Sequence, residues 1–163
     1  MAENNMKPMV KRLESVAETA GIAAKLASIL QAGDLLLFTG EIGAGKTTFI
    51  QALAKNLGIT ESVTSPTFVL HALYESGKVM LSHVDLYRLN NDVEVESFGF
   101  EDYYDTAVTV VEWSDRYSGF QAPNLTLNFE YGALENERIL TILPDGGDWA
   151  DRLACLSSDF IMK

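Results

Sequence analysis

The most specific chemistry in this 163-residue sequence lies in one short stretch, Gly40-Glu41-Ile42-Gly43-Ala44-Gly45-Lys46-Thr47. It fits the phosphate-loop spacing G-x-x-x-x-G-K-[ST], and Thr48 follows directly. Each residue type answers a chemical need. The glycines let the backbone curl until successive N–H groups face inward and make a nest for anionic oxygens. A helix starting near Lys46 adds the positive end of its dipole. Lys46 can reach the β- and γ-phosphates of a nucleotide, and the Thr47 hydroxyl can ligate Mg²⁺. An apolar run leads into the loop and a helical pattern leads out. The stretch is read as a nucleoside-triphosphate site.

Three further groups could complete it. Asp85 ends the run Val79-Met80-Leu81-Ser82-His83-Val84, where a Walker B carboxylate would sit at the tip of a strand beside the loop. Glu112 ends Val108–Val111, and is either a second metal ligand or water-orienting group, or a solvated strand end. In Ser65-Pro66-Thr67-Phe68 a rigid turn and a hydroxyl could sense the γ-phosphate, although an ordinary proline loop accounts for the same residues. His83, two residues before Asp85, reads as packed or hydrogen-bonded. His71 has no Cys or His partner at zinc spacing. Cys155 reads as packed on the apolar side of a terminal helix.

Positioning these groups requires a strand–loop–helix unit and more strands. Ser15 and Glu18 form a capping-box spacing that opens a helix over 15–30, with Val16, Ala20, Ala23, Ala27 and Leu30 along one face. Leu35–Phe38 is a continuous apolar run suited to a strand covered on both faces. A helix follows over 46–57, stopped by Gly58. Strands are expected over 67–74 and 78–85, a short helix over 92–97, and a strand over 107–111. A hairpin of 124–131 and 138–143 around Gly132 follows, then an amphipathic helix over 148–156. The expectation is an α/β fold, a P-loop NTPase-like sheet of mixed parallel and antiparallel strands flanked by helices.

Length and composition agree with one domain over 1–163. A 47% apolar fraction argues against disorder, and a single cysteine argues against a disulfide scaffold. No apolar run approaches a membrane span and the start lacks a signal-peptide pattern, so a cytoplasmic location is expected. The net charge of −11 is unevenly placed. Residues 1–82 hold seven acidic and seven basic side chains, whereas residues 83–163 hold sixteen acidic and five basic. Between Arg88 and Arg116 there are eight carboxylates and no Lys or Arg. Such a surface repels nucleic-acid phosphates, and is either a solvated face or a docking patch for a basic partner.

No N-K-x-D guanine reader is present, which favours adenine. A kinase lid would need arginines after the Walker B position, and that region has none from Asn90 to Asp115. What remains is a minimal ATPase that changes shape or partner affinity with its nucleotide state. A small-molecule or nucleoside kinase and a non-catalytic, nucleotide-gated assembly factor are the alternatives.

The phosphate loop, Ser65-Pro66-Thr67-Phe68, His83-Val84-Asp85-Leu86-Tyr87-Arg88-Leu89 and the pair Glu112-Trp113 together resemble the TsaE (YjeE) family. Order and spacing match from about Ser15 to Leu143. Glu41-Ile42 stands where Asp-Leu is usual, and Ser114 where Pro is common. The resemblance implies an ATPase that works with TsaB and TsaD in making threonylcarbamoyladenosine on tRNA. It implies ATP and Mg²⁺ as cofactors, with the loop 40–48 holding the nucleotide and Thr47, Glu112 and Asp85 the metal. By the same resemblance Lys46, Asp85, Glu112 and Thr67 take part in catalysis, Thr67 within a switch segment. Trp113 couples nucleotide state to its surroundings, Arg138 neighbours the nucleotide and the Val16 segment approaches the base. Arg88 is the nearest candidate for an arginine finger in cis. Without one, slow hydrolysis is expected of the isolated chain.

Overall fold

The sheet is built outward from its least polar strand. Residues 107–112, AVTVVE, are all buried, and a strand buried on both faces belongs inside a parallel sheet. The computed structural model describes residues 7–65 and 70–162. In chain order the elements are β1 (Met9–Leu13), α1 (Val16–Ala27), β2 (Leu35–Gly40), α2 (Lys46–Asn56), β3 (His71–Tyr74) and β4 (Met80–Asp85). They continue with α3 (Asp92–Glu96), β5 (Ala107–Glu112), β6 (Asn124–Tyr131), β7 (Arg138–Asp145), α4 (Trp149–Arg152) and β8 (Ile161–Met162). Single 3-10 segments cover Phe100–Tyr103, Ser114–Arg116 and Leu153–Asp159.

One eight-stranded sheet has the order β3-β4-β5-β2-β6-β7-β1-β8. Its centre, β4-β5-β2-β6, is parallel, and the strands outside it are antiparallel. The mixed sheet flanked by helices is the expected fold class. Register decides what faces what. Phe38 pairs with Glu112 and Glu112 with Asp85, so the C-terminal ends of β2, β5 and β4 lie side by side. Strand alternation then turns Leu36, Phe38, Leu81, Val108 and Val110 towards the core under α1 and α2. Leu35, Leu37, Val84 and Val111 face a thinner layer holding Val95 and Phe100.

Several boundaries differ from expectation, each for a physical reason. α1 buries Thr19, Ile22, Ala23, Leu26 and Ala27, while Val16 is 71% exposed. Alanines allow more than one helix face, and the larger Ile22 and Leu26 select the one that removes most surface from water. Ser15 caps this helix by accepting from the Glu18 N–H at 3.1 Å, and the Glu18 carboxylate accepts from the Glu14 N–H at 2.8 Å. β1 and β8 were not expected. Lys11-Arg12 interrupts the alternation of β1, yet Met9 and Leu13 are buried on one face and all five residues pair with β7. The terminal helix is one α turn followed by a 3-10 segment in which Leu153 and Leu156 are buried, with Asp159 reaching Lys25 at 2.6 Å. That three-residue repeat suits a 3-10 path, and Ser157-Ser158 gives the α-helix little support. Cys155 consequently faces outward and is exposed, not packed. The strand start and the Thr67 expectation fall on residues 66–69, outside the described residues. Among the described residues no helix is long and apolar enough to cross a membrane.

Candidate functional site

The loop between β2 and α2 follows from its glycines. Gly40 has φ +130°, and a Cβ there would lie 2.3 Å from the Phe129 carbonyl oxygen, so only glycine fits against β6. Gly43, at φ +78°, holds a left-handed conformation that side chains rarely adopt, with the Tyr131 hydroxyl close beside it. α2 opens at Gly45 with no side-chain cap, so no side chain competes for its first N–H groups. Below the loop, the rings of Phe38, Phe49 and Phe129 pack with centroids 5.5 to 6.2 Å apart and hold β2, α2 and β6 at fixed spacing.

The loop opens on a cavity of ≈ 310 Å³ lined by Glu41, Ile42, Gly43, Gly45, Lys46, Thr47, Thr48, Ser65, Asp85, Tyr87, Glu112 and Trp113. A polar cluster closes one side. The Thr47 hydroxyl donates to Glu112 Oε1 at 2.8 Å, and the Ser65 hydroxyl to Asp85 Oδ2 at 2.8 Å. Ser65 also stands 3.5 Å from Glu112 Oε2. Asp85 Oδ1 accepts the Tyr87 N–H at 2.9 Å, fixing the turn that leaves β4. Glu112 is only 2% exposed, so it is no solvated strand end. Burial pushes its carboxyl up, but hydrogen bonds from His83 and Thr47 and the Lys46 charge outweigh burial and leave it below its ordinary value.

Lys46 is buried, its amine donating to the carbonyls of Gly40 and of Glu41, the latter at 3.2 Å, and lying 4.0 Å from the Trp113 ring centroid. Burial lowers its basicity, opposed by Glu112, Asp115 and Asp85. Trp113 holds a left-handed backbone, φ +57°, which turns its ring back over the loop, 5.0 Å from Tyr87.

The structure therefore brings Lys46, Thr47, Asp85 and Glu112 to one place. Asp85 arrives differently from expectation: β5, not β4, adjoins β2, and Asp85 reaches the site from one strand further out. Arg138 donates to the Gly43 carbonyl at 3.4 Å and lies 4.5 Å from the Tyr131 ring centroid, so it braces the loop from the hairpin. Arg88 is exposed and outside the cavity lining. The Arg116 guanidinium lies 5.6 Å from the Trp113 ring centroid. Sequence reasoning missed Tyr131, whose hydroxyl donates to the Ile42 carbonyl at 2.5 Å across 89 residues of chain. No local signal announces that contact. His83 did carry one: alternation puts it on the same face as Asp85.

The family model described as Threonylcarbamoyl adenosine biosynthesis protein TsaE matches residues 13–140. A tRNA threonylcarbamoyladenosine biosynthesis protein TsaE of Nostoc sp. (strain PCC 7120) is 36% identical over 141 residues, 83% of this chain and 86% of the relative. The TsaE protein of Bacillus subtilis (strain 168) is 40% identical over 110 residues, 67% of this chain and 68% of the relative. The crystal structure of Bacillus subtilis YdiB superposes with a TM-score of 0.77 at 29% identity, covering 94% of this chain and 96% of that one.

Proposed function

The chain belongs to the TsaE family, nucleotide-binding P-loop ATPases of tRNA threonylcarbamoyladenosine biosynthesis, and from that premise we propose that it binds and hydrolyses ATP with Mg²⁺ as a partner-stimulated component acting with TsaB and TsaD. The observation that carries the reading is the cluster of Thr47, Glu112, Asp85 and Ser65 at the mouth of the phosphate loop. Its donor set is two hydroxyls and two carboxylates, all oxygen, which suits a hard cation. Thr47, Glu112 and Asp85 are the residues that would hold Mg²⁺, and the ion would neutralise charge on the β- and γ-phosphate oxygens.

The chain's own groups do the rest. Backbone N–H groups of 40–48 cradle the phosphates, and Lys46, swung from the Gly40 and Glu41 carbonyls, pairs with the terminal ones. Asp85 and Glu112 are the carboxylates proposed to orient the attacking water. Thr67 is proposed as part of the switch segment on the family resemblance alone. Among the described cavity-lining residues Lys46 is the one Lys or Arg, so charge developing on the γ-phosphoryl has little stabilisation from this chain. An arginine finger is worth ~10³–10⁵ in rate, which supports slow hydrolysis alone and faster hydrolysis with partners. The acidic second half supports action on the enzyme that holds tRNA without a tight grip on tRNA itself, and a cytoplasmic location is part of the same proposal.

The test is phosphate release by the chain alone and with the TsaB–TsaD pair. Stimulation by the pair is expected. Equal rates would remove the partner claim, and phosphate appearing on an acceptor would replace hydrolysis by a kinase reaction.

A further inference from the structure

Among the described residues, two buried side-chain atoms lack a hydrogen-bond partner, His83 Nδ1 and Thr109 Oγ1. His83 is the more informative, because its ring is fully buried and its other nitrogen is engaged. It lies in the middle of β4, paired with Val110 of β5, and shares its face with Leu81 and Asp85. Its Nε2 stands 2.8 Å from Glu112 Oε2, the oxygen opposite the one that takes the Thr47 hydroxyl.

Chemistry places one proton. Two acceptors at 2.8 Å would repel, so the nitrogen that faces the carboxylate, Nε2, is the one that carries a proton and donates to Glu112 Oε2. A ring nitrogen buried without a partner costs stability, and a leucine at this position would not carry that cost. The gain is local. Glu112 is held at both oxygens, by Thr47 in front and His83 behind, and cannot turn towards Lys46 or into the cavity as an unrestrained carboxylate would.

We propose that His83 is a positioning residue that fixes the orientation of the Glu112 carboxylate from behind through its Nε2–H, so that Oε1 stays presented to Thr47 and the phosphate loop. The inference deepens the proposed function, since it rests on Glu112 serving there. Groups that orient a metal-holding carboxylate in this way change metal affinity or activity by about 10–100-fold when removed.

Three measurements test it, the first with no nucleotide at all. Imidazole ¹⁵N–¹H correlation spectra of the full-length chain at neutral pH should show His83 protonated at Nε2, with that proton resonance moved by Glu112→Gln. An Nε2 without a proton, or a resonance indifferent to Glu112→Gln, overturns the proposal. Second, His83→Leu should lower kcat for ATP by about 10–100-fold, with KM changed less than about three-fold, and should raise the Mg²⁺ concentration needed for half-maximal nucleotide binding by a similar factor to kcat. Third, His83→Gln, whose amide can place a donor near the lost Nε2, should recover kcat to within about three-fold of the native chain. Unchanged kcat and Mg²⁺ response in His83→Leu sinks the idea, as does equal loss in both variants. Glu112→Gln separates the two levels: if it keeps full turnover the site reading fails, and if it is inactive while His83→Leu is normal, only the role of His83 fails.

Discussion

Removing the Tyr131 hydroxyl asks how far the phosphate loop is preformed by the hairpin behind it. Tyr131 donates to the Ile42 carbonyl at 2.5 Å, and the Arg138 guanidinium lies 4.5 Å from its ring centroid while donating to the Gly43 carbonyl at 3.4 Å. Tyr131→Phe deletes one hydrogen bond and keeps the ring. The side chain is half exposed, so water replaces part of the loss, and the cost falls at the low end of the net range, about 0.5–1 kcal/mol. If that energy holds the loop in its phosphate-binding shape, the Kd for ADP rises about two- to five-fold. Tyr131→Ala also removes the platform under Arg138, worth about 0.5–1 kcal/mol more at an exposed site, for a total rise of about 5–30-fold. Isothermal titration with ADP measures both, and a double-mutant cycle with Arg138→Met should show coupling of about 0.5–1 kcal/mol in the ring-deleted background. Native affinity in Tyr131→Ala would refute the reasoning, because the loop would then keep its shape without the brace.

Three other outcomes are expected. Lys46→Met should abolish ATP turnover yet raise the melting temperature at neutral pH, because burial holds the folded pKa below the unfolded value and the charged form costs stability below that range. Arg152→Ala should destabilise the fold by about 2–4 kcal/mol and lower Tm by about 5–15 °C in calorimetry, since Asp34 is buried and loses its partner at 2.9 Å along with the tie to the Ile29 carbonyl. In metal-free buffer the depressed Glu112 pKa contributes stability above the unfolded carboxylate value near 4.5, lost as pH falls through the folded value. Glu112→Gln should therefore show a shallower fall of Tm below pH ~5 than the native chain.

How much of this was legible in the sequence depended on whether the determinant was local. The glycines of 40–45 announce their own backbone, and the apolar runs of β2 and β5 announce their burial. The Ser15 cap was legible because a capping box is complete within four residues. β1 was not, since its pairing lies in β7, more than a hundred residues away, and its own pattern is broken by Lys11-Arg12. The same limit hid Tyr131, whose partner is Ile42, and the true face of α1, chosen by what the sheet offers it. Asp85 and Glu112 could be picked as strand-end carboxylates, but which strand adjoins β2 is a topological fact that no window of sequence contains.

The pairing of Asp85 with Glu112 and of Glu112 with Phe38 also bears on how the molecule acquires its activity over time. These parallel pairings join strands far apart along the chain, and closing such loops is the slow part of folding a domain. Without those pairings nothing holds the two carboxylates beside the phosphate loop. The site therefore exists only in chains in which these long-range pairings are complete. A nucleotide that binds only the finished arrangement stabilises it by RT ln(1 + [L]/Kd), so a cell's nucleotide pool acts as a ligand that rewards completed folding.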